Sequence, residues 1–309
     1  MKIQITAMAN NSSSGETGHS VLSCSWLPVE TWQLTVDSET IKTVALTRAL
    51  VNSVTFPFTI LFNLLVVIAL VKVRPLRSRA NLMLGCLAVT DLMTGLIAQP
   101  LAVNTNMTLY LNPLQCPSTA TQAVSKIMAF SSLYHITLLN IDRLIAMKNT
   151  FRYPVIVTDG RVCLAVIMAW VVAIGFAIFD AFVPSSNISR NFGITCILTC
   201  LICCFVVWRE SKKHRRQIAA DHLSMGTEQP RSNANMAFAL ITVTHFLTYL
   251  FFFGIRIAEE QVPLLKAVSS AVVVFSSLIN PLLYSIRTEA FRDAIKGILG
   301  IRSQVIVHG

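Results

Sequence analysis

Seven runs of predominantly apolar residues recur along this chain, at 46–71, 81–103, 119–146, 161–183, 191–208, 234–256 and 263–286. Each has the length of about 20 residues that a helix needs to cross the hydrocarbon of a bilayer. A backbone in lipid must satisfy its own N–H and C=O groups, so such a run is either a helix or one strand of a closed barrel. No regular alternation with the roughly ten-residue spacing of barrel strands is present. The expected fold is therefore all-α, a seven-transmembrane helix bundle followed by a short amphipathic membrane-surface helix at the C-terminus. Residues 1–45 read as an extracellular N-terminal tail, 46–286 as the bundle and 287–309 as the cytoplasmic amphipathic helix and tail. With 54% hydrophobic and only 13% charged residues among 309, an ordinary soluble domain is excluded.

The net charge of +10 could suggest nucleic acid, but the cations concentrate in alternate loops. Lys72, Arg74, Arg77 and Arg79 follow the first run, Lys148, Arg152 and Arg161 the third, and Arg209, Lys212, Lys213, Arg215, Arg216 and Arg231 the fifth. Arg287, Arg292, Lys296 and Arg302 follow the seventh, whereas the opposite side carries few. By the positive-inside rule the N-terminus is outside and the C-terminus cytoplasmic, in a multi-pass protein of the plasma membrane. The cytoplasmic cations face anionic membrane lipids.

Residues 1–20 lack the apolar core and cleavage site of a removable signal peptide, which leaves targeting to the first span. Sequons at Asn10, Asn11, Asn106 and Asn187 fall on the side assigned to the exterior. Cys86, Cys163, Cys200, Cys203 and Cys204 lie in apolar runs and read as packing residues. Cys24 and Cys116 are extracellular and are the candidate disulfide, with Cys196 near the outer end of the fifth run; sequence does not give connectivity.

Polar groups inside the spans mark the functional candidates, because lipid makes them expensive. Asp91, deep in the second run, needs a partner. Ser132, Ser277 and Asn280, with Asn63 at comparable depth, supply oxygens around either a sodium-sized cation or a protonated carboxyl. Asp142-Arg143-Leu144 ends the third run, where the ion pair is an interfacial anchor or a switch. Lys126 lies 17 positions earlier, about 25 Å outward at the helical rise. It either meets an anionic ligand or pairs with Asp180, Glu259 or Glu260. His135 and His245 have no partner at metal-ligand spacing and read as hydrogen-bonded core residues. In the seventh run Pro281 removes a backbone donor and bends the helix, and Phe291 opens the amphipathic tail.

Asn63 in the first span, Leu87-Ala88-Val89-Thr90-Asp91 in the second, Asp142-Arg143-Leu144 in the third, Trp170 in the fourth and Asn280-Pro281-Leu282-Leu283-Tyr284 with Phe291 in the seventh stand in the order of one family's motifs. Over residues 46–299 the chain resembles the rhodopsin-like (class A) G-protein-coupled receptors. The resemblance implies a receptor and not an enzyme. It would bind an extracellular ligand and activate a heterotrimeric G protein, with arrestin as a further partner. Asp142, Arg143, Asn280, Pro281 and Tyr284 would form the activation switch, and Asp91, Ser132, Ser277 and Asn280 an allosteric sodium site. No resident cofactor is implied.

The departures are equally specific. Leu144 replaces the tyrosine of the family's triplet. Residues 238–256 lack the sixth-span proline and tryptophan, for which Phe246, Tyr249 or a phenylalanine of 251–253 would have to substitute, and the fifth span lacks its usual proline and tyrosine. The outer loop at 184–190 is short and has no cysteine. These features resemble the branch holding melanocortin, cannabinoid, lysophospholipid and adenosine receptors. Val124-Ser125-Lys126 stands where amine receptors carry an aspartate, so the expected ligand is a lipid, nucleoside or peptide and not a biogenic amine, with Lys126 as the pocket candidate. The rivals are a receptor-like protein with weak or no coupling and, less favoured, a membrane transporter, which would show internal repeats.

Overall fold

The computed structural model describes residues 38–113, 119–149, 151–182, 188–225, 243, 247, 274–283, 285 and 289–301. Among these every regular element is helical: α1 (Ser38–Lys72), α2 (Arg79–Met93, a π-turn at Thr94–Ala98, then Gln99–Leu111), α3 (Thr119–Lys148), α4 (Asp159–Phe182), α5 (Ile188–Met225), α6 (Val274–Leu283) and α7 (Glu289–Ile298). A short loop helix, Tyr153–Ile156, joins α3 to α4. Three helices, Ser38–Lys72, Asn81–Leu111 and Asp159–Phe179, are long and apolar enough to cross a membrane by length and composition. α3 and α5 correspond to the third and fifth apolar runs and α6 to part of the seventh. Most of the sixth run lies outside the described residues.

Several helices outrun their apolar segments, which corrects the expected limits. α1 begins at Ser38 and not at 46, with Glu39 in its first turn paired to Lys42 at 2.7 Å. α2 continues past 103 to Leu111. α5 ends at Met225 and not at 208. The cause is the same throughout: hydropathy marks where lipid stops, while Arg, Lys, Glu, Gln and Ala keep propagating a helix into water. α2 begins at Arg79, capped by Ser78, whose Oγ accepts from the Asn81 N–H at 3.2 Å.

Each helix turns one stripe inward and another to lipid. On α4 Leu164, Ile167, Val171, Ile174 and Ile178 are exposed at helical spacing while Ala169, Ala173 and Ala177 are buried. Ala169 and Ala173 pack with Leu133 and Tyr134 of α3 and with Cys196 and Ile197 of α5. A second core joins Val66 and Ala69, Leu84 and Leu87, Ile136 and Leu139, and Phe291 and Ala294 of α7. Phe291 is thus the side chain that docks the amphipathic C-terminal helix onto the bundle. That helix stops at Gly300, whose φ of 70° closes its end with Ile301 N donating to Lys296 O.

Candidate functional site

Two clusters of buried polar groups sit where the sequence placed its candidates. The first surrounds Asp91, fully buried on α2. Ser132 Oγ of α3 donates to Asp91 Oδ1 at 3.3 Å, Ser277 Oγ of α6 to the same oxygen at 2.7 Å, and Asn280 Nδ2 to Oδ2 at 2.7 Å. Asn63 of α1 completes the ring, its Nδ2 donating to Ser277 O at 3.0 Å and to Thr59 O at 2.9 Å. One carboxylate thereby collects donors from two other helices, and the second of these is tied to a third. Pro281, buried next to Asn280, lacks the N–H that would close the preceding turn, and Ser285 Oγ donates to its carbonyl at 2.7 Å.

The same side chains also offer oxygens to a sodium ion. Asp91 and the hydroxyls of Ser132 and Ser277 keep oxygen lone pairs that suit a hard cation. Asn280 presents its amide nitrogen, an orientation set by the carboxylate it donates to, so its carbonyl oxygen would have to turn to join them. The residues fit a cation held chiefly by three oxygens from Asp91, Ser132 and Ser277.

The second cluster closes the far end of α3. Arg143 Nη2 donates to Asp142 Oδ2 at 2.6 Å, and the other carboxylate oxygen accepts from Tyr153 Oη of the loop helix at 2.7 Å. Asp142 is buried and the Arg143 side chain retains only 13% exposure, a setting in which a charge-assisted bond counts for more than at a free surface. The loop helix is itself held, since Arg161 Nη1 donates to Val155 O at 3.2 Å and Ile156 O at 2.8 Å. Beside it Phe151 is 99% exposed and Val155 74%.

Between the clusters, His135 is the buried core residue expected of it. Its Nδ1 lies 2.7 Å from Ser131 O, and because a carbonyl only accepts, that nitrogen carries the proton. Trp170 meets the imidazole edge-on, centroids 6.1 Å apart. Lys126 lies half-buried on α3. Asn106 lies within α2, its Nδ2 donating to Ala102 O at 2.7 Å. Asn10, Asn11, Asn187, Cys24, Cys116, His245 and Tyr284 lie outside the described residues. Tyr153 and Phe151 were missed from sequence, where a tyrosine and a phenylalanine in a basic loop carry no distinguishing pattern.

The family model described as 7 transmembrane receptor (rhodopsin family) matches residues 62–220, half of the chain, and spans both Asp91 and the Asp142-Arg143 pair. The chain belongs to the rhodopsin family of seven-transmembrane receptors. It is a multi-pass, all-helical membrane protein. This receptor is 22% identical to the histamine H2 receptor of Canis lupus familiaris over 289 residues, 83% of this chain and 80% of that protein. It is also 22% identical to the neuromedin-U receptor 2 of Mus musculus over 301 residues, 83% of this chain and 76% of that protein. A shorter stretch of 139 residues is 30% identical to the dopamine D2-like receptor of Drosophila melanogaster, covering 44% of this chain.

Proposed function

We propose that this receptor resides in the plasma membrane with its basic loops in the cytoplasm, binds an extracellular ligand in the outer half of its bundle, and activates a heterotrimeric G protein. The observation that carries this reading is the closed cluster at the basic end of α3. Arg143, the donor that would meet a partner, is held by Asp142, which is in turn held by Tyr153. Fully exposed Phe151 beside it offers the partner an apolar contact. Opening exchanges these internal bonds for bonds to the partner. Ligand enters through differential affinity for the open form, and a cation at Asp91 would favour the closed one.

For the ligand, the relatives' printed names span histamine, neuromedin U and dopamine, which is no single chemical class. The outer part of α3 reads Val124-Ser125-Lys126, with a cation and no carboxylate, which supports an anionic or neutral ligand over an amine. Lys126 is the proposed anchor for such a group.

The test is G-protein activation in cells expressing wild-type receptor and Arg143→Ala at matched surface levels, basally and across lipids, nucleosides and peptides. The expected outcome is a ligand-dependent signal lost in the variant. A signal that survives Arg143→Ala would overturn the assigned switch. Surface binding without turnover would favour the weakly coupling reading, which the absence of a proline and a tryptophan from residues 238–256 supports.

A further inference from the structure

Within one turn outward from Asp91, α2 departs from regular helix at Thr94–Ala98, where the Gln99 N–H bonds Thr94 O in the π pattern. Pro100 follows and has no N–H. The consequence falls on Gly95, whose carbonyl would take the amide of Gln99 in an α-helix and that of residue 100 in a π-helix. The first is engaged by Thr94, and the second does not exist. Leu96 likewise loses its usual donor to the proline. Gly95 and Ala98 are the buried residues of this turn, and Gly95 is pressed on α1: a Cβ added there would stand 3.0 Å from Ile60 Cγ1 and 3.3 Å from Ile60 N.

The side chain of Gln99 enters the same seam. It is only 2% exposed, and its Nε2 donates to Thr55 Oγ1 of α1 at 3.1 Å. The amide cannot be turned the other way, because the Thr55 hydroxyl already gives its proton to Val51 O at 2.7 Å and can only accept from Gln99. Gln99 Oε1 therefore faces away from Thr55, buried and without a hydrogen-bond donor among the described residues. The Gln99 side-chain carbonyl and the freed Gly95 carbonyl thus belong to buried residues one turn apart on α2, both against α1. Every one of these groups is an acceptor, and a buried acceptor without a donor is costly.

We propose that this seam holds one ordered water, which donates to Gln99 Oε1 and to the carbonyl released at Gly95. A water suits the chemistry because it brings two protons to neutral oxygens. With no carboxylate in the set, a metal cation would bind these oxygens only weakly. The water stitches the π-turn of α2 to α1 through Gln99 and Thr55, and fixes the angle at which Gln99–Leu111 leaves the segment carrying Asp91. The inference is independent of which ligand or G protein the receptor serves.

The direct test is a structure of the wild-type receptor at a resolution that shows ordered water. Density within hydrogen-bond distance of Gln99 Oε1 is the expected result, and a dry seam overturns the proposal. Thermal unfolding of purified receptor supplies a second readout. Gln99→Met keeps the length of the side chain and strands the water, so the apparent Tm should fall by about 2–4 °C. A Tm that holds or rises would mean that the substitution had merely removed an unsatisfied acceptor, and sinks the idea. The same pair in choline chloride and in sodium chloride separates the occupants. An equal gap in both salts excludes sodium as the occupant, as the water requires, and a gap present only in sodium overturns the water in favour of a cation.

Discussion

Asp91 and Asp142 are both buried carboxylates with both oxygens engaged, yet they are built from opposite materials. Around Asp91 every donor is neutral, and the partners Ser132, Ser277 and Asn280 come from distant parts of the chain. Around Asp142 the donors are its own neighbour Arg143 and Tyr153 of the adjoining loop. The first carboxylate ties helices together, so breaking it should cost fold. The second is held locally by a formal cation that can leave with its charge intact, so breaking it should cost switching and leave the fold nearly untouched.

Asp91→Ala attacks the tie and should have the largest effect. It leaves the amide of Asn280 and the hydroxyl of Ser277 buried without their acceptor, a loss on the order of 3 kcal/mol, read as a lower Tm of purified receptor. An unchanged Tm would mean that the bundle does not lean on this carboxylate, and the contrast would collapse. Tyr153→Phe removes one hydrogen bond from the closed form of the local cluster. If that bond is worth about 1 kcal/mol and is lost on opening, basal G-protein turnover should rise about fivefold. A matching fall in Tm, with turnover unchanged, would recast Tyr153 as a structural tie like those of Asp91. Arg161→Ala should do least, because its bonds to Val155 and Ile156 carbonyls lie at an exposed surface. Basal turnover within about a factor of two of wild type is expected, and a larger rise would show that the loop helix positions Tyr153.

The same contrast explains what could be read from the sequence. The seven apolar runs announce the bundle because lipid penalises any other use of them. Asp91, Ser132, Ser277 and Asn280, which the structure brings into hydrogen-bond contact, could be grouped because a carboxylate at that depth demands polar company, and few polar residues share its level. Tyr153 was illegible because its reach to Asp142 depends on how the loop turns, and no periodicity encodes that. The seam of Thr55 and Gln99 was passed over for another reason. Asn52, Thr55, Thr59 and Asn63 follow helical spacing through the first run, but threonines there donate to their own helix's carbonyls and hardly lower its hydropathy. Helix ends were misjudged wherever hydropathy was asked to report on water-exposed turns.

The length of α5 carries one last implication. At 1.5 Å per residue, the stretch beyond Trp208 reaches about 25 Å past the exposed aromatic pair of Phe205 and Trp208, which Lys212 caps with its ammonium 5.1 Å from the indole. An arm of that length is a lever. A tilt of about 10° at the membrane boundary sweeps its tip through about 4 Å, which turns a small repacking of Cys200 against Thr137 of α3 into a displacement a bound protein would feel.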